Sequence, residues 1–202
     1  MANILEAKAL AKDYGGGVGL LGADIVLPEG KIVGLLGSNG SGKTTFLKLV
    51  AGILKPTAGE VLVCGERIGI DTKSMVSYLP ERTYLNDWMR VSDIVEYFDD
   101  FYEDFDSAKA FEMLSNLKVE PNRKLKTLSK GTKEKVQLGL VMARNAKLYL
   151  LDEPIAGVDP ATRDYIISTI INNYNPESSV IISTHLISDI EEVLDDVIFI
   201  KQ

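Results

Sequence analysis

The feature that most constrains this chain is a glycine-rich segment placed between a mostly apolar run and an amphipathic one. The segment fits the pattern G-x-x-x-x-G-K-[ST], with the residues Gly37, Ser38, Asn39, Gly40, Ser41, Gly42, Lys43 and Thr44. Residues 31–36 before it predict a buried strand, and residues 45–54 after it have apolar side chains at helical spacing. This order predicts a phosphate-binding loop in an α/β fold.

The residues of this loop have the chemistry that a nucleotide site needs. Backbone N–H groups around the glycines can surround phosphate oxygens, and the following helix adds a partial positive charge at its N-terminus. Lys43 can reach the β- and γ-phosphates, and the Thr44 hydroxyl can hold Mg²⁺. We therefore expect the chain to bind a nucleotide together with magnesium.

Length and composition exclude several classes of protein. The 202 residues fit one domain, and 46% hydrophobic with 25% charged residues is typical of a soluble globular protein. No apolar run approaches the length that spans a bilayer, and the N-terminus lacks the pattern of a signal peptide. The single cysteine, Cys64, excludes an internal disulfide. A net charge of −7 argues against nucleic acid as the main partner.

The hydrophobic pattern predicts alternating strands and helices on both sides of a helical insertion. Strands are predicted at 3–13, 18–27, 60–65, 75–79, 147–152, 179–184 and 197–200, and helices at 132–145, 160–173 and 186–194. Such alternation indicates a mainly parallel sheet. Residues 87–127 differ, because 91–98 and 107–114 read as amphipathic helices with Asp93 and Ser107 near their starts. The acidic face of this insertion is either solvated surface or a docking surface.

Two adjacent carboxylates end the predicted strand 147–152. Asp152 and Glu153 would lie at the carboxyl end of a parallel strand, where such sheets bind ligands. Asp152 can hold Mg²⁺, and Glu153 can take a proton from an attacking water or orient that water.

A second candidate anion site lies upstream of these acids. Ser129 and Gly131 offer a hydroxyl and an unobstructed N–H at the start of a predicted helix. One nucleotide hardly needs two phosphate sites from one chain. We therefore expect the second site to serve a nucleotide held by a second subunit.

These motifs together resemble the ATP-binding subunit of an ABC transporter, and the resemblance covers nearly the whole chain. They stand in that family's order: an aromatic at Tyr14, the phosphate loop, a loop after Tyr78-Leu79-Pro80, a signature at 128–132, the acids Asp152 and Glu153, a D-loop at 157–160, and a switch histidine at His185. His185 is also the only histidine in the sequence. The resemblance implies a P-loop NTPase (RecA-like) fold with an N-terminal antiparallel β region.

The resemblance also implies roles by position. Tyr14 would stack on adenine, Lys43, Thr44 and Thr45 would hold phosphates and Mg²⁺, and Glu153 and His185 would act with Lys43 in hydrolysis. The signature residues Ser129, Lys130, Gly131 and Thr132 would contact the ATP of the partner subunit, and Asp159 would link the two sites.

Three positions depart from the family pattern. Glu81 stands where glutamine is usual, Lys130 where glycine is usual, and Thr132 where glutamine is usual. Glu81 would either bind the metal more directly or swing away from it. Because Ser129 and Gly131 are kept, we expect nucleotide binding to survive.

The resemblance predicts an ATPase that powers a membrane transporter, in the manner of a bacterial exporter subgroup. Residues 1–86 and 128–202 would form the nucleotide-binding core, and 87–127 would face a separate membrane subunit at the cytoplasmic side of the membrane. A second ATPase subunit, identical or related, is the other expected partner, and no nucleic acid is expected. Two alternatives stay open: a soluble ABC ATPase acting on protein or nucleic-acid assemblies, and a nucleotide-gated binding module with weak hydrolysis.

Overall fold

The computed structural model describes residues 2–175 and 177–201, which form two units. The core unit contains the described residues up to 78, residues 146–154 and those after 176. The helical unit contains residues 79–145 and 155–175. The predicted insertion 87–127 lies within the helical unit, which also includes two further helices of the chain.

Nine strands are found among the described residues. They are β1 Asn3–Asp13, β2 Val18–Pro28, β3 Ile32–Leu36, β4 Ala58–Val63, β5 Glu66–Arg67, β6 Val76–Leu79, β7 Leu148–Asp152, β8 Ser179–Thr184 and β9 Asp196–Phe199. The α-helices are α1 Lys43–Val50, α2 Ile70–Met75, α3 Val91–Phe101, α4 Ser107–Asn116, α5 Lys130–Met142 and α6 Pro160–Asn173. Alternating helices and strands confirm the predicted α/β class.

The N-terminal strands form an antiparallel sheet in the order β2-β1-β4-β5. Leu5 pairs with Leu27 on one side and with Val63 on the other, and all three are buried in one hydrophobic core. This sheet confirms the antiparallel β region that was predicted before the phosphate loop.

The second sheet has the order β6-β7-β8-β3-β9, and β7, β8, β3 and β9 pair in parallel. Every residue of β3, β7 and β8 is buried, which explains the apolar runs at 32–36, 148–151 and 180–182 within them. The register pairs Leu36 with Thr184 and Asp152 with Ser183. These strand ends therefore meet at one edge of the sheet, where the phosphate loop begins.

In the helical unit, side chains cap three of the helices. Asp106, Ser129 and Asp159 each accept a hydrogen bond from the backbone N–H three residues later, at the starts of α4, α5 and α6. The cap of α4 is thus Asp106 rather than the predicted Ser107. Asp93 accepts from the N–H of Arg90 at the start of α3, in keeping with its predicted capping position.

The prediction of a helix at 186–194 is wrong. Two short 3-10 turns occupy this segment, Ile187–Asp189 and Glu191–Val193, because Ile190 between them has a backbone φ of −135° and a buried side chain. The short elements α2 and β5 were also missed, since they are too short to show a periodic pattern. In the part of the chain that the structure describes, no helix is long and apolar enough to cross a membrane.

Candidate functional site

The phosphate loop connects β3 to α1, and two of its glycines are required by the packing around them. Gly42, just before α1, has a φ of +108°, and a Cβ atom there would collide with the carbonyl oxygen of Gly19. A Cβ atom on Gly37 would collide with the Ser41 hydroxyl and the Ile200 carbonyl oxygen. Glycine avoids both collisions because it has no Cβ atom, and at position 42 it also adopts the positive φ without strain.

Lys43 folds over its own loop. Its ammonium donates to the carbonyl oxygens of Gly37 at 2.8 Å and Ser38 at 3.3 Å. The same nitrogen lies 3.3 Å from Oε1 of Glu153, and both side chains are almost buried. A buried ammonium with these partners is fixed in position, and its charge is directed into the loop.

One polar atom of the loop has no partner. The Ser41 hydroxyl is buried, and the described residues offer it no hydrogen bond. Buried polar groups normally have a partner in the protein or a bound molecule. The neighbouring Ser38, Asn39 and Gly40 are exposed, with Gly40 at a φ of +82°. The loop therefore fits an anionic group that accepts hydrogen bonds.

Asp152 ends β7 as a buried carboxylate with three hydroxyl donors. Its Oδ1 accepts from Thr44 at 3.0 Å and from Ser183 at 2.8 Å. Its Oδ2 accepts from Tyr78 at 3.3 Å. Sequence reasoning did not select Ser183 or Tyr78 as site residues. The position of Ser183 two residues before His185, at the end of a strand, was the available signal.

Asp152 and Thr44 bring together the oxygen ligands that Mg²⁺ prefers. Among residues 2–175 and 177–201, no group of three or more His, Cys, Asp and Glu side chains could hold a metal alone. Magnesium in nucleotide sites usually takes one or two protein oxygens and completes its shell with phosphates and water. The residues present therefore fit a magnesium ion that arrives with a nucleotide.

Glu153 stands between Lys43 and His185. Its Oε2 lies 2.9 Å from Nδ1 of His185, while its Oε1 faces Lys43. Its backbone φ of +49° is unusual for a residue with a side chain. The backbone N–H of Glu153 holds this conformation by donating to the carbonyl oxygen and the hydroxyl of Ser183, at 3.2 and 2.9 Å.

Tyr14 lies beside the first turn of α1. Its hydroxyl is 3.3 Å from that of Thr45, and the Lys12 ammonium lies 5.6 Å from the ring centre. The ring is 55% exposed. An exposed aromatic face next to the phosphate loop is available for stacking on a base.

The signature residues lie in the helical unit, at the start of α5. The Ser129 hydroxyl accepts from the N–H of Thr132 at 3.2 Å and lies 2.8 Å from the Thr132 hydroxyl. Lys130 is exposed and forms a 3.7 Å ion pair with Glu134. A Cβ atom on Gly131 would meet no described residue within 4 Å. The start of this helix is therefore open to solvent.

Asp159 and Glu81 also belong to the helical unit. Asp159 is exposed and accepts hydrogen bonds from the N–H of Thr162 at 3.0 Å and from its hydroxyl at 2.7 Å. These bonds, the hydroxyl first, lower the pKa of the Asp159 carboxyl below its ordinary value. Glu81 is an exposed side chain in the loop after β6.

The structure thus brings five of the predicted residues together in the core unit: Lys43, Thr44, Asp152, Glu153 and His185. The arrangement combines an anion-binding loop with two carboxylates. The buried Asp152 carboxylate can hold a metal cation, and the Glu153 carboxylate contacts the Lys43 ammonium and the His185 imidazole. Such a set can bind a nucleoside triphosphate and accept a proton from a water at its terminal phosphate.

Comparison with known proteins agrees with this geometry. The family model described as "ABC transporter" matches residues 20–156. The chain is 30% identical over 201 residues to the ABC transporter ATP-binding protein YtrB of Bacillus subtilis, with 98% of this chain and 69% of that protein covered. It is 28% identical over 204 residues to the SkfA peptide export ATP-binding protein SkfE of the same organism, with 98% and 85% covered.

A solved structure, described as the ATP binding subunit of an ABC transporter, superposes with a TM-score of 0.85 at 25% identity. The match covers 98% of this chain and 85% of that one. The family model alone covers more than half of the chain, and the relative YtrB aligns along almost all of it. On this evidence the chain belongs to the ABC transporter family, as an ATP-binding ATPase subunit.

Proposed function

We propose that this chain closes with a second ATPase chain around two Mg-ATP molecules and that hydrolysis drives a separate membrane subunit. The observation that carries the proposal is the placement of Glu153 between Lys43 and His185, beside the phosphate loop. It puts a proton acceptor, a phosphate-binding cation and a hydrogen-bonding imidazole at one edge of the sheet.

In this mechanism each site residue of the core unit has a separate role. The phosphate loop and the N-terminus of α1 bind the phosphates, and Lys43 exchanges its contact with Glu153 for the β- and γ-phosphates. Glu153, freed on one oxygen, orients the attacking water and accepts its proton. His185 holds the other oxygen of Glu153 and is positioned to hydrogen-bond the γ-phosphate. Tyr14 stacks on the adenine.

Magnesium has a defined place in this proposal. Asp152 and Thr44 would hold it, and Glu81 is a third candidate oxygen ligand in the loop after β6. When bound, Mg²⁺ neutralises charge on the β- and γ-phosphates. Thr44 would turn its hydroxyl from Asp152 to the metal. Asp152 would still accept the hydrogen bond from Ser183.

The open start of α5 supports the second part of the proposal. Ser129 is exposed, and the space beside the Cα atom of Gly131 is open among the described residues. We assign them, with Lys130 and Thr132, to the γ-phosphate bound by the partner chain. Asp159, at the start of α6, would connect the two sites across the dimer.

Two exposed aromatic side chains of the helical unit support a docking role for this unit. Tyr97 and Phe101 on α3 stack at 5.9 Å between ring centres with an interplanar angle of 15°, and both are more than half exposed. Exposed apolar side chains that lie together can form part of an interaction surface. We propose that this face docks the membrane subunit at the inner side of the membrane. Similarity to SkfE, named for peptide export, supports the export direction.

A glycine pair on α5 tests the ATP-dependent dimer. Among the described residues, a methyl group on Gly131 would meet nothing within 4 Å, and one on Gly139 would make only ordinary contacts with Met113, the nearest at 3.6 Å. Both substitutions to alanine should therefore leave the chain folded. In a Glu153→Gln background that retains ATP, we expect size-exclusion chromatography to show a Mg-ATP-dependent dimer for Gly139→Ala and a monomer for Gly131→Ala.

The opposite chromatographic result, dimers for both variants, would remove Gly131 from the partner's site. A monomer for the parent Glu153→Gln chain with every nucleotide would refute the closed dimer for this chain alone. The same analysis with the co-purified partner chain then decides whether the dimer is heteromeric.

Affinity purification from detergent-solubilised membranes of the native host tests the transport role. We expect a stoichiometric polytopic membrane protein to accompany the tagged chain, and Phe101→Ser to reduce its recovery. Recovery of ribosomes or soluble assemblies alone would favour the soluble ABC ATPase. If the wild type released phosphate no faster than Glu153→Gln, the nucleotide-gated binding module would be favoured instead.

A further inference from the structure

Tyr78 contacts the oxygen of Asp152 that the other two donors leave free. It is the third residue of β6, which lies beside β7 in the parallel sheet. Its half-buried ring packs against the hydrophobic core, and its hydroxyl donates to Oδ2 of Asp152 at 3.3 Å. Thr44 and Ser183 both donate to Oδ1. The two carboxylate oxygens therefore have separate donors.

The three hydroxyl donors to Asp152 should respond differently when magnesium binds. The Thr44 hydroxyl is the one proposed to turn to magnesium, which leaves Ser183 as the remaining donor to Oδ1. A carboxylate held through one oxygen can still rotate about its last bond, because that torsion has a broad energy minimum. A donor to Oδ2 removes this freedom. Tyr78 supplies it from a strand position, with its ring anchored in the core.

We infer that Tyr78 is a positioning residue that fixes the orientation of the Asp152 carboxylate and thereby sets the magnesium affinity of the ATP-bound chain. The inference rests on the proposed function, because it takes Asp152 as a magnesium-holding residue. Preorganised oxygen ligands matter for Mg²⁺, which demands near-ideal octahedral geometry. A hydrogen bond to an ionised group affects an equilibrium by about tenfold or more, and the long 3.3 Å distance lowers this to about 3- to 10-fold.

The substitution Tyr78→Phe removes the hydroxyl and keeps the ring in the core. A fluorescent ATP analogue would be bound to the chain in EDTA and then titrated with Mg²⁺, and Mn²⁺ binding would be followed by electron paramagnetic resonance. We expect the half-saturating metal concentration to rise about 3- to 10-fold. The affinity for the analogue in EDTA should not change. Tyr174→Phe, which alters a half-buried tyrosine after α6, is the matched control and should equal the wild type.

A double substitution separates positioning from a general structural role. In Asp152→Asn the carboxylate is gone, so adding Tyr78→Phe should not raise the half-saturating concentration further. Three results would each overturn the inference. The first is an additive effect in the double variant, and the second is an unchanged metal titration in Tyr78→Phe. The third is an equal loss of analogue affinity in Tyr78→Phe with and without metal. If the wild type itself binds the analogue equally in Mg²⁺ and EDTA, the proposed magnesium role fails as well.

Discussion

The core unit and the helical unit hold their predicted site residues by different kinds of contact. Asp152 is bonded to Thr44 and Ser183, which lie 108 and 31 positions away in the chain. Ser129 and Asp159 are instead held by residues only three positions away, within the first turns of α5 and α6. The first arrangement depends on elements that are distant in the chain, whereas the second depends on one helix turn.

This difference separates site residues with buried partners from site residues that are exposed. The buried carboxylate in the core unit has its donors, and the nearby carboxylate of Glu153 has a cation and an imidazole as neighbours. The caps in the helical unit are exposed, and Gly131 has open space around it. Substitutions in the core unit should therefore weaken ATP binding by the isolated chain, and substitutions at the caps should leave that binding unchanged.

The largest effect is expected at Glu153. Glu153→Gln keeps the shape of the side chain but cannot accept a proton, so ATP hydrolysis should fall about 10²- to 10⁴-fold. ATP binding should persist. Phosphate release and equilibrium binding of a fluorescent analogue measure the two properties separately. Glu66→Gln on the exposed strand β5 is the control, and hydrolysis by Glu153→Gln at the wild-type rate would contradict the assigned role.

A smaller but still large effect is expected at Gly42. A methyl group there would meet the Gly19 carbonyl oxygen, so the phosphate loop must shift. Displacing a binding group by about 1 Å can cost about 10²-fold, and we expect a loss of ATP affinity of this order in Gly42→Ala.

Gly15→Ala, in the turn between β1 and β2, is the matched control for Gly42→Ala. Gly15 also has a positive φ, +78°, but a methyl group there has no atom of the described residues within 4 Å. Equal losses of ATP affinity in the two variants would attribute the effect to backbone strain and would leave the close approach of Gly19 without a role.

Two serines compare the units directly. Ser183→Ala removes a hydrogen bond to the buried Asp152 carboxylate and should lower the free energy of unfolding by about 1.5–3 kcal/mol. Ser129→Ala removes a helix cap and should lower it by about 1 kcal/mol. Urea denaturation measures both. Only Ser183→Ala should weaken ATP binding by the isolated chain, and the reverse order of effects would break the comparison.

The smallest effect is expected from the charge of Asp159. Its pKa is lower in the folded chain than the ordinary value of 3.8, because the Thr162 hydroxyl and N–H donate to the carboxylate. The ionised form therefore stabilises the fold above that value, and this stabilisation is lost as the pH falls through the folded pKa.

The substitution Asp159→Asn keeps a capping oxygen without the charge. The stability advantage of the wild type over Asp159→Asn should be constant between pH 7 and about pH 5 and should shrink below about pH 4. Urea denaturation across this range tests the expectation. An advantage that grew on acidification would show that the hydrogen bonds from Thr162 do not favour the ionised carboxylate.

The sequence alone determined the parts of this protein that depend on local pattern. The phosphate loop, the apolar strands 32–36 and 148–152, and the helix Pro160–Asn173 all follow from glycine chemistry and hydrophobic periodicity. The helix predicted for 186–194 does not form, because Ile190 is buried between two short turns. A local pattern does not show which side chains the rest of the fold will bury.

Only the tertiary structure decided how the site is held together. The parallel register brings Ser183 beside Asp152, and the position of β6 next to β7 brings Tyr78 to the same carboxylate. The positive φ of Glu153 is likewise stabilised by Ser183, 30 residues further along the chain. A motif specifies which side chains are present, but the donors that orient a buried charge come from strands that become neighbours only when the sheet has formed.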